Sequence, residues 1–260
     1  MRGPAGVTAL VLAELVAGSL WLLFLVFPLW HEVRPGFFKV SGTVVAALSI
    51  ATWFSVRAGL VQGSDAGAWA LRLSVALAIV AIGWTALLFF RRATAARVGG
   101  LVSVPLSVVL LVAMAGTAEE GAALALFQLL AGAAFLGAVL DGLLLGHWYL
   151  TDRGLSRTPI GRYATALLVA VVVEAVALVL GGFGPTGGGS EFNPLLTSAG
   201  LASWIAIGMV GTTALIAVLI RAALKGERSS AVQAATGFFY LALITALTAE
   251  FAARVGFLPS

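Results

Sequence analysis

Four carboxylates interrupt long apolar runs in this sequence: Glu14, Asp141, Glu174 and Glu250. Placing an ionisable side chain in the middle of a lipid-spanning helix costs about 2.5–3.5 kcal/mol, so each of these acids requires a compensating role. Glu14, Glu174 and Asp141 are candidate proton-relay or ligand-binding groups facing a bundle interior. The structural alternative is hydrogen bonding to a neighbouring helix, and Glu250 has Arg254 four residues on, at the spacing of a helical ion pair.

The two histidines, His31 and His147, each end an apolar run in aromatic company, beside Trp30 and within Gly146-His147-Trp148-Tyr149. Three chemistries fit them: donation to a quinone head group, bis-imidazole ligation of a b-type haem, or simple interfacial residence in an aromatic belt. A haem between helices usually takes histidines well inside the bundle, which disfavours it here. Gly142 and Gly146 form a small-xxx-small pair that admits a close neighbour or a flat ligand. Asp141 and Trp148 share a helix face, whereas His147 lies about 120° round from Asp141. His147, Trp148, Asp141, Tyr149 and His31 therefore form a candidate quinone-binding set, with Arg153 and Arg157 following as partner or lipid contacts. A belt-and-anchor helix end is the plain alternative.

Cysteine is absent, which excludes disulfides, thiolate metal sites, cysteine-held iron–sulfur clusters and covalent c-type haem. Nothing matches a hydrolase triad, a paired-histidine zinc motif, a P-loop or a dinucleotide fingerprint. No metal site and no self-contained catalytic residue is predicted.

What must position these groups follows from composition. Of 260 residues, 61% are hydrophobic and 10% charged, against about 25% charged in a soluble domain. A span needs about 20 apolar residues, and the runs predict eight of them, at 6–29, 38–60, 69–90, 98–117, 121–149, 162–183, 198–220 and 231–252. The expected fold class is all-α, a polytopic integral membrane protein with eight transmembrane helices. The alternation that a β-barrel needs is missing. The first run is too long for a signal-peptide core of about 7–15 residues and reads as a retained span. Trp21, Trp53, Trp69, Trp84 and Trp204 read as packing or belt residues.

The formal charge of +4 does not point to nucleic acid, because the basic residues are scattered among short loops. Eleven of the fifteen fall in alternate connections: Arg34 and Lys39; Arg91, Arg92 and Arg97; Arg153, Arg157 and Arg162; Arg221, Lys225 and Arg228. Arg2, Arg57, Arg72 and Arg254 are assigned to the opposite side. By the positive-inside rule both termini, and the Gly184 to Gly189 loop, face away from the cytoplasm. A composition rich in Ala, Gly, Val, Leu and Arg with few lysines has the look of a bacterial plasma-membrane protein.

A short internal similarity relates Leu12-Ala13-Glu14-Leu15-Val16-Ala17-Gly18 to Leu126-Phe127-Gln128-Leu129-Leu130-Ala131-Gly132, each span ending at a histidine. It predicts two parallel four-helix halves, 1–117 and 118–260, within one membrane domain. Chance likeness among Ala/Leu/Gly-rich helices is the alternative.

The eight-span plan, the Glu14 and Gly18 pair and the ending Ala249-Glu250-Phe251-Ala252-Ala253-Arg254 resemble the NrfD and polysulfide-reductase type of membrane subunit, including DMSO-reductase anchors. The Gly-His-Trp-Tyr stretch has no counterpart in that pattern. The resemblance implies an anchor that binds menaquinone or ubiquinone and exchanges electrons with an attached iron–sulfur or other redox subunit, alongside further membrane subunits. His147, Trp148 and Asp141 would then line the quinone pocket, and Glu14 and Glu174 would move protons. A proton-coupled small-solute or ion transporter is the alternative of a different class, and a structural or assembly subunit is a third.

Overall fold

In a computed structural model, all residues are described except 28, 62, 119–120, 153, 182–197, 227–229, 256 and 258–260, and the side chains of 198–200. Arg153, Arg228 and the Gly184 to Gly189 loop lie outside the described residues.

The elements are α1 (Gly3–Trp21) continued by a π-helical turn (Leu22–Val26), a short α2 (Leu29–Glu32), α3 (Pro35–Gly59), α4 (Asp65–Phe89), α5 (Ala93–Ala115), α6 (Ala122–Trp148), α7 (Thr158–Gly181), α8 (Ser198–Leu224) and α9 (Ser230–Val255). Eight of these are long and apolar enough to cross a membrane, and the chain is a polytopic helical membrane protein. Helices satisfy every backbone group internally, which lipid demands.

Local chemistry sets the breaks. Phe27 precedes a proline in the sequence and adopts φ −120° and ψ 141°, the extended conformation that the proline ring imposes on its predecessor. Pro35 opens α3 at a first-turn position where no amide is needed. Ser64 caps α4, its hydroxyl accepting from the Gly67 amide at 3.1 Å. Pro105 is accommodated within a continuous α5. The π turn was not anticipated.

The core sits on α1 and α6. Their apolar windows are 72% and 67% buried, against 33% to 44% for the other six spans. α1 packs on α3, α5 and α6, and α6 on α1, α7 and α9; α1 also touches α9, and α6 touches α5. The α1–α6 seam is a backbone contact: a Cβ on Gly18 would lie 1.7 Å from the Ala133 carbonyl oxygen, and one on Gly137 2.2 Å from the Gly18 carbonyl carbon. Large apolar side chains on α7 and α8, such as Val172 and Leu215, point outward to lipid.

Span ends differ from the sequence expectation by a few residues, with one consequence. α9 runs to Val255, so Arg254 lies inside the bundle at 1% exposure instead of in an outer connection. Buried carboxylates supply what makes that position tolerable.

Candidate functional site

Each acid singled out from sequence is fully buried. Glu14 on α1 accepts from Arg254 Nε and Nη2 on α9, both at 2.7 Å through its Oε1. Arg254 Nη2 also lies 2.8 Å from Glu250 Oε2 and donates to the Gln128 carbonyl of α6 at 3.0 Å. The Glu250 contact is an ion pair whose angle is too poor for a hydrogen bond, so both Glu250 oxygens, like Glu14 Oε2, lack a donor among the described residues. Glu174 on α7 brings in a third carboxyl. Its two oxygens are buried without a donor, yet it lies within hydrogen-bonding reach of Glu250, as Glu250 does of Glu14.

Two carboxylates are both acceptors, so such contacts become bonds only when a proton sits between them. Three carboxyls and one guanidinium would carry a net charge of −2 if all were ionised. Leaving that charge uncompensated in the core costs several kcal/mol per ion. Among the described residues no three acids or histidines converge at metal-binding spacing. Space for the cluster comes from Gly132 of α6, where a Cβ would stand 2.6 Å from Arg254 Nη2 and 2.9 Å from Glu250 Oε2. At 1.5 Å per residue, Glu250 lies about 8 Å from the end of α9 and Glu14 about 17 Å from the start of α1.

A second polar node occupies the other half of the bundle. Asp141 of α6 accepts from Ser19 Oγ at 2.6 Å and, weakly, from the Tyr163 hydroxyl at 3.4 Å. Ser19, Asp141 and Tyr163 are all completely enclosed. Phe27 meets the Tyr163 ring edge-on, with centroids 5.0 Å apart. Glu14 and Ser19, five residues apart on α1, thus reach the two nodes, about 8 Å apart along that helix. Removing the shorter bond with Ser19→Ala should cost about 1–3 kcal/mol, read as a lower unfolding midpoint in detergent, because Asp141 is left with one long contact.

The proposed quinone set is not drawn into one cavity. Asp141 faces Ser19 and Tyr163 inside the bundle. His147 is exposed, with Nδ1 3.5 Å from the Tyr240 hydroxyl. Trp148 packs on Phe37, centroids 6.4 Å apart, and against Gly36, where a Cβ would strike its ring at 2.4 Å; its buried indole N–H has no acceptor among the described residues. Tyr149 donates to the Ser156 carbonyl, closing the turn between α6 and α7. His31 is exposed, and its neighbour Glu32 pairs with Arg162 at 2.8 Å. Arg157 donates to the Gly226 carbonyl, tying that turn to the end of α8, and Arg34 pairs with Asp152 at 3.2 Å. Arg153 lies outside the described residues.

Burial pushes the Tyr149 phenol up to about 12. The folded value lies above the ordinary value of about 10, so the neutral phenol's contribution to stability is complete below that pH. It fades as pH rises from about 10 to about 12, and Tyr149→Phe should remove this alkaline loss in melting curves recorded against pH.

Sequence reasoning missed Gln128 and Gly132 as parts of the acid cluster, and it placed Arg254 outside the membrane. The signal for the latter was present: Glu250 and Arg254 stand at i, i+4 within Leu247 to Val255, which carries no other charge. The chain matches no protein-family model, no curated protein and no solved structure.

Proposed function

We propose that this chain is the proton-handling, quinone-reactive membrane subunit of a respiratory redox complex in a bacterial plasma membrane, with the electron carriers on attached subunits. The observation that supports it most is the pairing of one buried guanidinium with two buried carboxyls, Glu14 and Glu250, beside a third buried carboxyl, Glu174, where four helices meet. Such a cluster changes its charge only by taking or releasing protons, and it does so where they are sheltered from bulk water. Asp141 with Ser19 and Tyr163 offers a second station nearer the opposite face.

The orientation follows from the basic connections, with both termini outward and the Asp141 half toward the cytoplasm. The matching helix pairings of residues 1–117 and 118–260 support a parallel duplication. Menaquinone or ubiquinone fits the α6 end in one respect: the Trp148 indole N–H is a buried donor that a carbonyl oxygen would satisfy. His147, next to Trp148 in sequence, and Tyr240, whose hydroxyl lies 3.5 Å from His147 Nδ1, are exposed polar groups. Two exposed imidazoles do not make an enclosed seat for haem b. When bound, a quinone supplies the two-electron, two-proton chemistry; the chain's own residues would hold its head group and exchange protons with it.

The test is purification with native partners, followed by quinone analysis of the lipid extract and quinol-linked turnover. Glu174→Gln and Glu250→Gln should assemble normally and lose turnover. Normal turnover in both variants removes the proton-handling role. A proton-coupled transporter is the second reading, favoured by the position of the acid cluster between helices of both halves. Solute or ion flux by the isolated chain in liposomes, without a redox partner, would select it.

A further inference from the structure

Two cavities of opposite character meet on α7. One is a groove of about 570 Å³ between α7 and the π turn, walled by apolar side chains such as Leu22, Val26, Ala170 and Val173. The other is a cleft of about 200 Å³ between α7 and the end of α8, lined by Thr165, Arg221 and Lys225. They share Gly161 and Thr165. A Cβ on Gly161 would meet nothing within 4 Å, so the ridge of α7 between them is open.

The cleft is cationic. Arg221 Nη1 donates to Thr165 Oγ1 at 2.7 Å, which fixes the guanidinium at the mouth. Among the described residues no carboxylate pairs with Arg221 or Lys225, and Glu32 is held by Arg162. From Gly161 to Val173 the groove runs about 18 Å along α7, against about 15 Å for the hydrocarbon of one leaflet. A basic mouth and an apolar channel of leaflet depth, joined at a residue without a side chain, have the form of a phospholipid.

We propose that this part of α7 is a binding site for an anionic phospholipid, its phosphate held by Arg221 and Lys225, with Thr165 fixing Arg221 in place, and an acyl chain laid over Gly161 into the groove beside the π turn. Basic pockets between membrane helices recognise anionic head groups in this way. The site stands apart from the acid cluster and is independent of the redox reading. Phosphatidylcholine fills the groove but brings to the mouth a choline cation that Arg221 and Lys225 repel; inorganic phosphate satisfies the mouth and not the groove.

Native mass spectrometry of the delipidated full chain, titrated with dioleoyl phosphatidylglycerol, phosphatidylcholine of the same chains, or inorganic phosphate, tests it. Phosphatidylglycerol should bind about tenfold or more tightly than phosphatidylcholine, and phosphate at equal concentration should not displace it. Arg221→Gln with Lys225→Gln should bring phosphatidylglycerol to the phosphatidylcholine level. Gly161→Leu, whose Cβ meets nothing within 4 Å, should weaken both lipids. Equal binding of the two lipids by the native chain, or an unchanged double variant, overturns the proposal. So does displacement by phosphate, which would mark a bare anion site. Undiminished lipid binding by Gly161→Leu, in protein with an unchanged unfolding midpoint, would overturn the path over α7.

Discussion

Arg254→Gln is expected to destabilise the bundle by about 3–5 kcal/mol, the usual result of removing one member of a buried ion pair. The guanidinium is 1% exposed, donates to Glu14 and the Gln128 carbonyl, and forms an ion pair with Glu250. Its loss leaves three carboxyls facing one another with no cation between α1, α7 and α9. Most of that penalty belongs to the stranded charge and not to the lost contact, so adding Glu14→Gln to Arg254→Gln should recover part of the stability. Unfolding midpoints in detergent for the parent, both single variants and the double variant measure the coupling. An Arg254→Gln protein as stable as the parent would mean that the cluster is not the ionic lock described above.

Gly18→Ala should have an effect of similar size from a different cause. Its Cβ would stand 1.7 Å from the Ala133 carbonyl oxygen, with the Ala133 carbonyl carbon at 2.6 Å and Gly137 Cα at 3.0 Å behind it. Overpacking ordinarily costs about 1–3 kcal/mol because side chains yield. Here the obstacle is backbone, so α1 and α6 must separate along the seam that carries Glu14 and Ser19, and about 3 kcal/mol or more is expected. Gly211→Ala, whose Cβ meets nothing within 4 Å, is the matched control and should change stability by about 0.5 kcal/mol or less. Paired thermal unfolding of the two variants checks both values. Equal stability would show that the seam yields where backbone contact says it should not.

The spans were legible because lipid leaves helices and closed barrels as the only choices, and continuous apolar runs favour helices. Their positions followed from hydropathy to within a few residues, since the bilayer sets a length and little else. The acids were legible singly, as costs needing explanation. Their convergence was not: Glu14 and Arg254 are 240 residues apart, and nothing periodic in either helix states that α1 and α9 face each other. Asp141 was read with Trp148 and His147 on its own helix. Its partners, Ser19 and Tyr163, come from two other helices. The π turn was hidden for a related reason, because Leu22 to Val26 is as apolar as any helical turn, and Pro28 was the one local hint that the span ends abruptly. Arg254 was misplaced by treating every arginine near a span end as a topology marker.

The proposed function requires the cluster to hold protons among Glu14, Glu174 and Glu250. Infrared spectroscopy of the reconstituted protein reads this directly through the carbonyl stretch of a protonated carboxylic acid, which ionised carboxylates lack. At neutral pH a carboxylic-acid band that shifts in heavy water should be present and should lose intensity in Glu174→Gln and Glu250→Gln. A spectrum with ionised carboxylates alone, or an acid band unaltered by both substitutions, would contradict it.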